Sequence, residues 1–145
     1  MNPADLDRAD VSGVYRVADP AALPRLLSAA HERGYRVCTL DLDGVATKEE
    51  LLSRAAQALQ FPSYFGGNWD AFEECVNDLA WLPARGYVLH VIRPEGLARQ
   101  APETFTTLLG ILQEAAGQWK AAGTPFVVLV EDGGNFTFGP GISPI

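Results

Sequence analysis

Short apolar runs and longer runs with apolar residues at helical spacing alternate along this chain. Gly13 to Val17 reads as a short strand. Asp19 and Pro20 then open a helix from Ala21 to Arg33, with Leu23, Leu26, Leu27 and Ala30 on one face and Gly34 ending it. Tyr35 to Leu42, carrying Val37, Leu40 and Leu42, is a partly buried strand. Thr47 caps the next helix, in which Leu51, Leu52, Ala55, Ala56 and Leu59 recur at helical spacing and Glu50 completes a capping box. After Pro62 comes an aromatic, glycine-containing loop, Tyr64 to Asn68. Asn68 caps a helix from Trp69 to about Trp81, stopped by Pro83. Tyr87 to Ile92 is an apolar strand, Pro94 to Ala101 a loop or short helical turn, Pro102 to Ala122 a long helix ended by Gly123, and Phe126 to Val130 the last strand.

Apolar strands separated by helices predict an α/β fold, because parallel strands need long crossover connections. The expectation is a small, mostly parallel sheet of three to four strands packed with helices. Residues 1–132 form a single domain that includes the first strand and helix. The remaining stretch, 133–145, reads GGNFTFGPGISPI, and its glycine and proline predict a flexible or loosely docked tail without regular structure.

Charge narrows the function classes. Eleven basic against eighteen acidic residues leave a net charge of −7, which repels nucleic acid and anionic lipid and attracts cationic partners. Direct nucleic-acid or membrane binding is not expected. No stretch approaches the roughly 18 apolar residues of a membrane helix, and Met1 to Asp10 carries acids in place of a basic, apolar leader, so a cytoplasmic protein is expected. Cys38 and Cys75 lie in apolar contexts without CxxC spacing and read as buried thiols of a reducing compartment. No cofactor or metal is implied.

The segment from Phe61 to Ala84, FPSYFGGNWDAFEECVNDLAWLPA, holds Asp70, Glu73, Glu74 and Asp78 and no lysine or arginine. On a helix, Phe72, Cys75, Val76 and Leu79 share one stripe, while Asp70, Glu74 and Asp78 follow at i+4 steps on the opposite side; Glu73, Asn77 and Trp81 make a neighbouring row. Like charges four apart cost an isolated helix about 0.2 to 0.5 kcal/mol per pair, and the dipole disfavours Asp78 near the far end. A cationic visitor would relieve this. Ahead of the acids, Tyr64, Phe65 and Trp69 crowd around Gly66 and Gly67, as aromatic anchors beside charge do in protein interfaces. Core aromatics beneath a solvated acidic face fit the same pattern.

The stretch FPSYFGGNWDAFEEC resembles the loop and second helix of the barstar family, through Pro62, Tyr64, Phe65, Gly66, Asn68, Trp69, Asp70, Ala71 and Cys75. A weaker resemblance runs from Val37 through LDLDGVATKEELLSRAAQAL, the strand near Val88, the helix ending in WKAAG and the strand PFVVLV, roughly two thirds of the chain. The resemblance implies a non-enzymatic inhibitor, monomeric when free, that covers the active site of a basic, extracellular-type ribonuclease in a one-to-one complex. It places Tyr64, Phe65, Gly66, Asn68, Trp69, Asp70 and Glu74 in the contact surface. Gly67, Glu73, Asn77 and Asp78, on the same loop and helix, complete the candidate partner-binding set. Where the family has an aspartate preceded by tryptophan, this chain has Glu74 preceded by Glu73. An acidic contact that the family supplies from its last helix has no secure counterpart: Gln118 falls nearest and Glu114 lies one turn earlier, so neither is included in the set.

Two other readings compete. Asp41, Asp43, Gly44 and Val45 follow an apolar strand in the DxDx(T/V) pattern of haloacid-dehalogenase-type, magnesium-dependent phosphatases, with Glu131 and Asp132 as further acids. The match is short, strands ending in acids before a glycine turn are common, and the Tyr87 to Arg93 region lacks the serine or threonine that such enzymes use. A non-inhibitory acidic adaptor that binds another basic protein through the same helix is the third reading. His31 and His90 have no recognisable base or metal partner in the sequence.

Overall fold

The computed structural model describes residues 1–62, 65–131 and 141–145. Among them, β1 (Gly13–Val17), β2 (Arg36–Asp41), β3 (Tyr87–Ile92) and β4 (Phe126–Glu131) alternate with α1 (Leu23–Glu32), α2 (Lys48–Ala58), α3 (Trp69–Asp78), α4 (Glu95–Gln100) and α5 (Pro102–Ala121). A fifth strand, β5, is the pair Ser143–Pro144. Short 3-10 turns at Pro3–Asp7, Ala9–Val11 and Pro20–Ala22 precede α1. The fold class is α/β, as the alternation of periods predicts.

All five strands are parallel, in the order β2-β3-β4-β1-β5. Register builds two apolar faces. Cys38, Leu89, Val128 and Val14 lie side by side on one, joined by Leu40, Val91 and Val130. α2, α3, α4 and α5 cover this face with Leu51, Leu52, Ala55, Phe72, Val76, Leu97, Leu108 and Leu112. The other face presents Val88, Val127 and Leu129 to α1 and the N-terminal turns, through Leu6, Val11, Leu23, Ala29 and Ala30. The first thirty-odd residues are therefore part of the architecture: β1 is an inner strand, and α1 shields a face that would otherwise expose valine and leucine to water.

Two details depart from the sequence reading. The sheet has five strands where three to four are expected. Pro144 brings no N–H to the ladder, and the Ile145 N–H donates to the Arg16 carbonyl instead, 3.0 Å away. A proline-bearing edge pairing of two residues has no alternation to betray it. It also gives the last residues of the chain regular pairing; 132–140 lie outside the described residues. α3 ends at Asp78, not near Trp81, because buried Leu79 takes a left-handed backbone (φ 51°) while its N–H still donates to Cys75 O. The turn that follows swings Trp81 off the helix, and its indole N–H donates to the Leu59 carbonyl, 3.1 Å away. Residues 95–100, read as a loop or short helical turn, form a short helix, α4.

Gln60 also sits in the left-handed region, at φ 54°, with an exposed side chain. A β-carbon there costs about 1 to 2 kcal/mol, against roughly 0.5 to 1 kcal/mol of extra chain entropy for glycine. Gln60→Gly is expected to raise the urea midpoint slightly; a fall would show that the side chain does more than close the turn.

Candidate functional site

The face singled out in the sequence is built on α3. Asn68 has an extended backbone and its side-chain oxygen accepts the Ala71 N–H at 2.8 Å, so the helix starts where the pattern places it. Gly67, at φ +70°, makes the turn into this cap with no strain. Phe72, Cys75 and Val76 are buried, which turns the opposite side of the helix outward. Asp70, Glu74 and Asp78 are exposed there, one turn apart, and Glu73 is half-buried beside them.

Among the described residues, no hydrogen bond or ion pair engages any of these four carboxylates. Among the described residues, three arginines pair with acids elsewhere in the chain. Arg8 pairs with Asp5 and Asp10, Arg33 with Asp7, and Arg93 with Asp41, while His90 contacts Glu131 at 2.9 Å. The acidic stripe on α3 is left to solvent.

The aromatics divide between support and surface. Half-buried Trp69 packs edge-on against Phe72, ring centroids 5.8 Å apart, and joins the core cluster. Half-buried Phe65 stands edge-on to Phe61 at 4.9 Å. Gly66, Gly67 and Asn68 are exposed at the mouth of the helix, and Tyr64 lies outside the described residues. Asn77 is half-buried, and its side-chain oxygen is buried without a hydrogen-bond partner among the described residues. From the far side, the Trp119 indole N–H donates to the Val76 carbonyl at 2.9 Å, tying α5 to α3. Gln118 and Glu114 are both exposed on α5.

One feature of this face escapes the sequence pattern. Phe65, Ala71, Glu74, Cys75, Asp78 and Trp81 line a small cavity beside α3. Trp81 reads from spacing as a neighbour of Glu73 and Asn77 on a longer helix. Only the left-handed Leu79 brings it across to face Glu74 and Asp78.

The acids of the DxDx(T/V) pattern take another course. Arg93 holds the Asp41 carboxylate through two contacts, Nε to Oδ1 at 3.0 Å and Nη2 to Oδ2, while the Asp43 N–H donates to Oδ1 at 3.0 Å. Arg54 donates to the Asp41 backbone carbonyl at 2.8 Å. Glu131 is turned to His90, and Asp132 lies outside the described residues. Among the described residues, no three histidine, cysteine or acidic side chains gather to hold a metal.

The Arg93 hydrogen bonds, helped by the Asp43 N–H, draw the Asp41 pKa from 3.8 down to about 2. A folded-state pKa below the unfolded value means that the pair's stabilising contribution is complete above about pH 4 and disappears as pH falls toward 2. In Arg93→Ala, Asp41 should titrate back toward its ordinary value, as followed by carboxyl NMR. An unmoved titration would assign the effect to the Asp43 amide.

A family model described as "Barstar (barnase inhibitor)" matches residues 35–131. The chain belongs to the barstar family. β2, α2, α3, β3, α4, α5 and β4 all fall within the matched stretch, whereas β1 and α1 precede it. No curated protein matches the sequence. Among solved structures, a chain of one described as "Structure of Drosophila ORC bound to DNA" superposes with a TM-score of 0.60 at 18% identity, over 92% of this chain and 37% of that one. This likeness concerns the fold alone. It extends over 92% of the chain, more than the stretch that the barstar family model matches.

Among the described residues, no helix is long and apolar enough to cross a membrane.

Proposed function

We propose that this barstar-family chain is a cytoplasmic, stoichiometric inhibitor of a basic, barnase-type ribonuclease, which it blocks by covering the active site with α3. The observation that carries the proposal is the exposed row Asp70, Glu74 and Asp78, which no lysine or arginine of the same chain neutralises among the described residues. An RNA-cleaving enzyme holds phosphate with cationic side chains. Carboxylates fixed on a capped helix offer those groups charge-assisted hydrogen bonds in place of phosphate oxygens. Asp70 and Glu74 are the phosphate-mimicking anions, Phe65 and Tyr64 the aromatic contact, and Gly66, Gly67 and Asn68 the close-approach loop. Trp69 supports the helix from below.

Opposite net charges would also steer encounter, toward about 10^8 to 10^9 per molar per second at low salt. The net charge of −7 gives no reason to carry the DNA of the ORC structure over to this chain. The proposal includes a free monomer and a one-to-one complex.

The test is a titration of a purified barnase-type ribonuclease against RNA cleavage. Activity should fall linearly to zero at one equivalent, and association should slow steeply as salt rises. Full nuclease activity in the presence of excess chain would refute the proposal. Salt-sensitive binding of some other basic protein would support the acidic-adaptor reading instead.

A further inference from the structure

The cavity beside α3 encloses about 110 Å³. One side of it is a strip of α3, with Ala71, Glu74, Cys75 and Asp78 at i, i+3, i+4 and i+7, and the other is Phe65 and Trp81. Both aromatic rings are held in place before anything binds. The Trp81 indole is bonded to the Leu59 carbonyl and stands edge-on to Phe61 with centroids 5.9 Å apart, and Phe65 packs on the same Phe61 ring. Glu74 and Asp78 bring to this aromatic slot two exposed carboxylates that no ion pair engages among the described residues. Cys75 senses the setting: burial pushes its thiol pKa up, and the charges of Asp78 and Glu74 push it further.

Apolar walls favour an aliphatic stem, aromatic faces attract a cation, and two carboxylates penalise any occupant that lacks positive charge. A planar guanidinium satisfies all three conditions. It is weakly hydrated, stacks on an indole, and can donate to both carboxylates at once, whereas an ammonium is a strongly hydrated point charge. We propose that this slot is a receptor for a single arginine side chain, supplied by the ribonuclease that α3 covers; the identity of the donor rests on the inhibitor reading, the chemistry of the slot does not. Asp78 and Trp81 thereby become specificity determinants for the choice of nuclease, in addition to the phosphate-mimicking pair.

The probe is agmatine, a guanidinium on a four-carbon stem, added to the full chain while the Ala71 and Cys75 amides and the Trp81 indole N–H are followed by NMR. Saturable shifts at these three positions are expected. Ala71→Leu fills the slot and leaves every charge in place, and Asp78→Asn keeps the shape and removes one charge. Each should weaken agmatine by about tenfold or more, with an unchanged circular dichroism spectrum. Absence of saturable shifts, or cadaverine binding as tightly as agmatine, overturns the proposal. In the ribonuclease titration, Ala71→Leu should weaken inhibition by about tenfold although Asp70 and Glu74 are intact. Intact inhibition in a variant that has lost agmatine overturns the nuclease as the arginine donor. Agmatine binding by a chain that inhibits no ribonuclease overturns the inhibitor reading alone.

Discussion

Glu74→Ala is expected to weaken ribonuclease inhibition by about 2 to 5 kcal/mol, a factor of roughly thirty to several thousand, because truncating one partner of a desolvated charge pair leaves the other buried without a counter-ion. The same substitution should leave the free protein as stable as before, or more so. Glu74 has Asp70 one turn before it and Asp78 one turn after it, and removal of both like-charge contacts returns about 0.2 to 0.5 kcal/mol per pair to the helix. Weaker inhibition together with an equal or higher denaturation midpoint is the signature of a residue kept for binding. Asp70→Ala should weaken inhibition comparably. In the free protein it also forfeits a favourable charge in the first turn of α3, worth about 0.3 to 1 kcal/mol, so its midpoint should not rise. The double variant should lose less than the sum of the two, since the carboxylates would share one cationic pocket. Inhibition that persists in both single variants would remove phosphate mimicry as the mechanism.

Phe72→Ala is expected to cost about 3 to 5 kcal/mol of folding free energy, a large part of the roughly 5 to 15 kcal/mol typical of a domain. The ring is fully buried and lies within 6 Å, centroid to centroid, of both Phe61 (5.9 Å) and Trp69 (5.8 Å). It stands under the acidic row and joins α3 to the aromatic cluster that also positions Phe65 and Trp81. For a chain of this size the melting temperature should drop by roughly 6 to 20 °C. Urea unfolding of the free protein measures the loss directly. A decrease below 1 kcal/mol would mean that neighbouring side chains refill the site, and that α3 is not held by this ring. Inhibition should suffer only as far as α3 loosens, so the variant's affinity for the nuclease should recover on cooling.

The elements legible in the sequence are those with local causes. Asn68 and Thr47 cap α3 and α2 where the pattern places them, because a cap is an interaction over three residues. The outward display of Asp70, Glu74 and Asp78 follows from burial of Phe72, Cys75 and Val76, which helical spacing alone dictates. The end of α3 was not legible. Pro83 marks the last possible stop, but the helix ends at Asp78, where the left-handed Leu79 begins a turn that lets Trp81 reach Leu59 O. That contact spans 22 residues and leaves no local trace. The partner of Asp41 was equally hidden, since Arg93 meets it from the end of the neighbouring strand, 52 residues away.

By itself the sequence determined the α/β class, the alternation of strands and helices, the caps, the barstar-family resemblance and a helix face carrying carboxylates without cations. Each of these depends on neighbours within about two helical turns, or on residue identities in a contiguous motif. The tertiary structure alone decided that β1 lies inside the sheet, that Ser143–Pro144 closes one edge, and that Asp41 is paired with Arg93 while Asp70 and Glu74 have no cationic partner among the described residues. It also decided that Trp81 faces α3 across a cavity. Whether a charge finds a partner, and which rings enclose a space, depends on groups brought together from distant parts of the chain by burial of apolar surface, a force that has magnitude but no direction along the sequence.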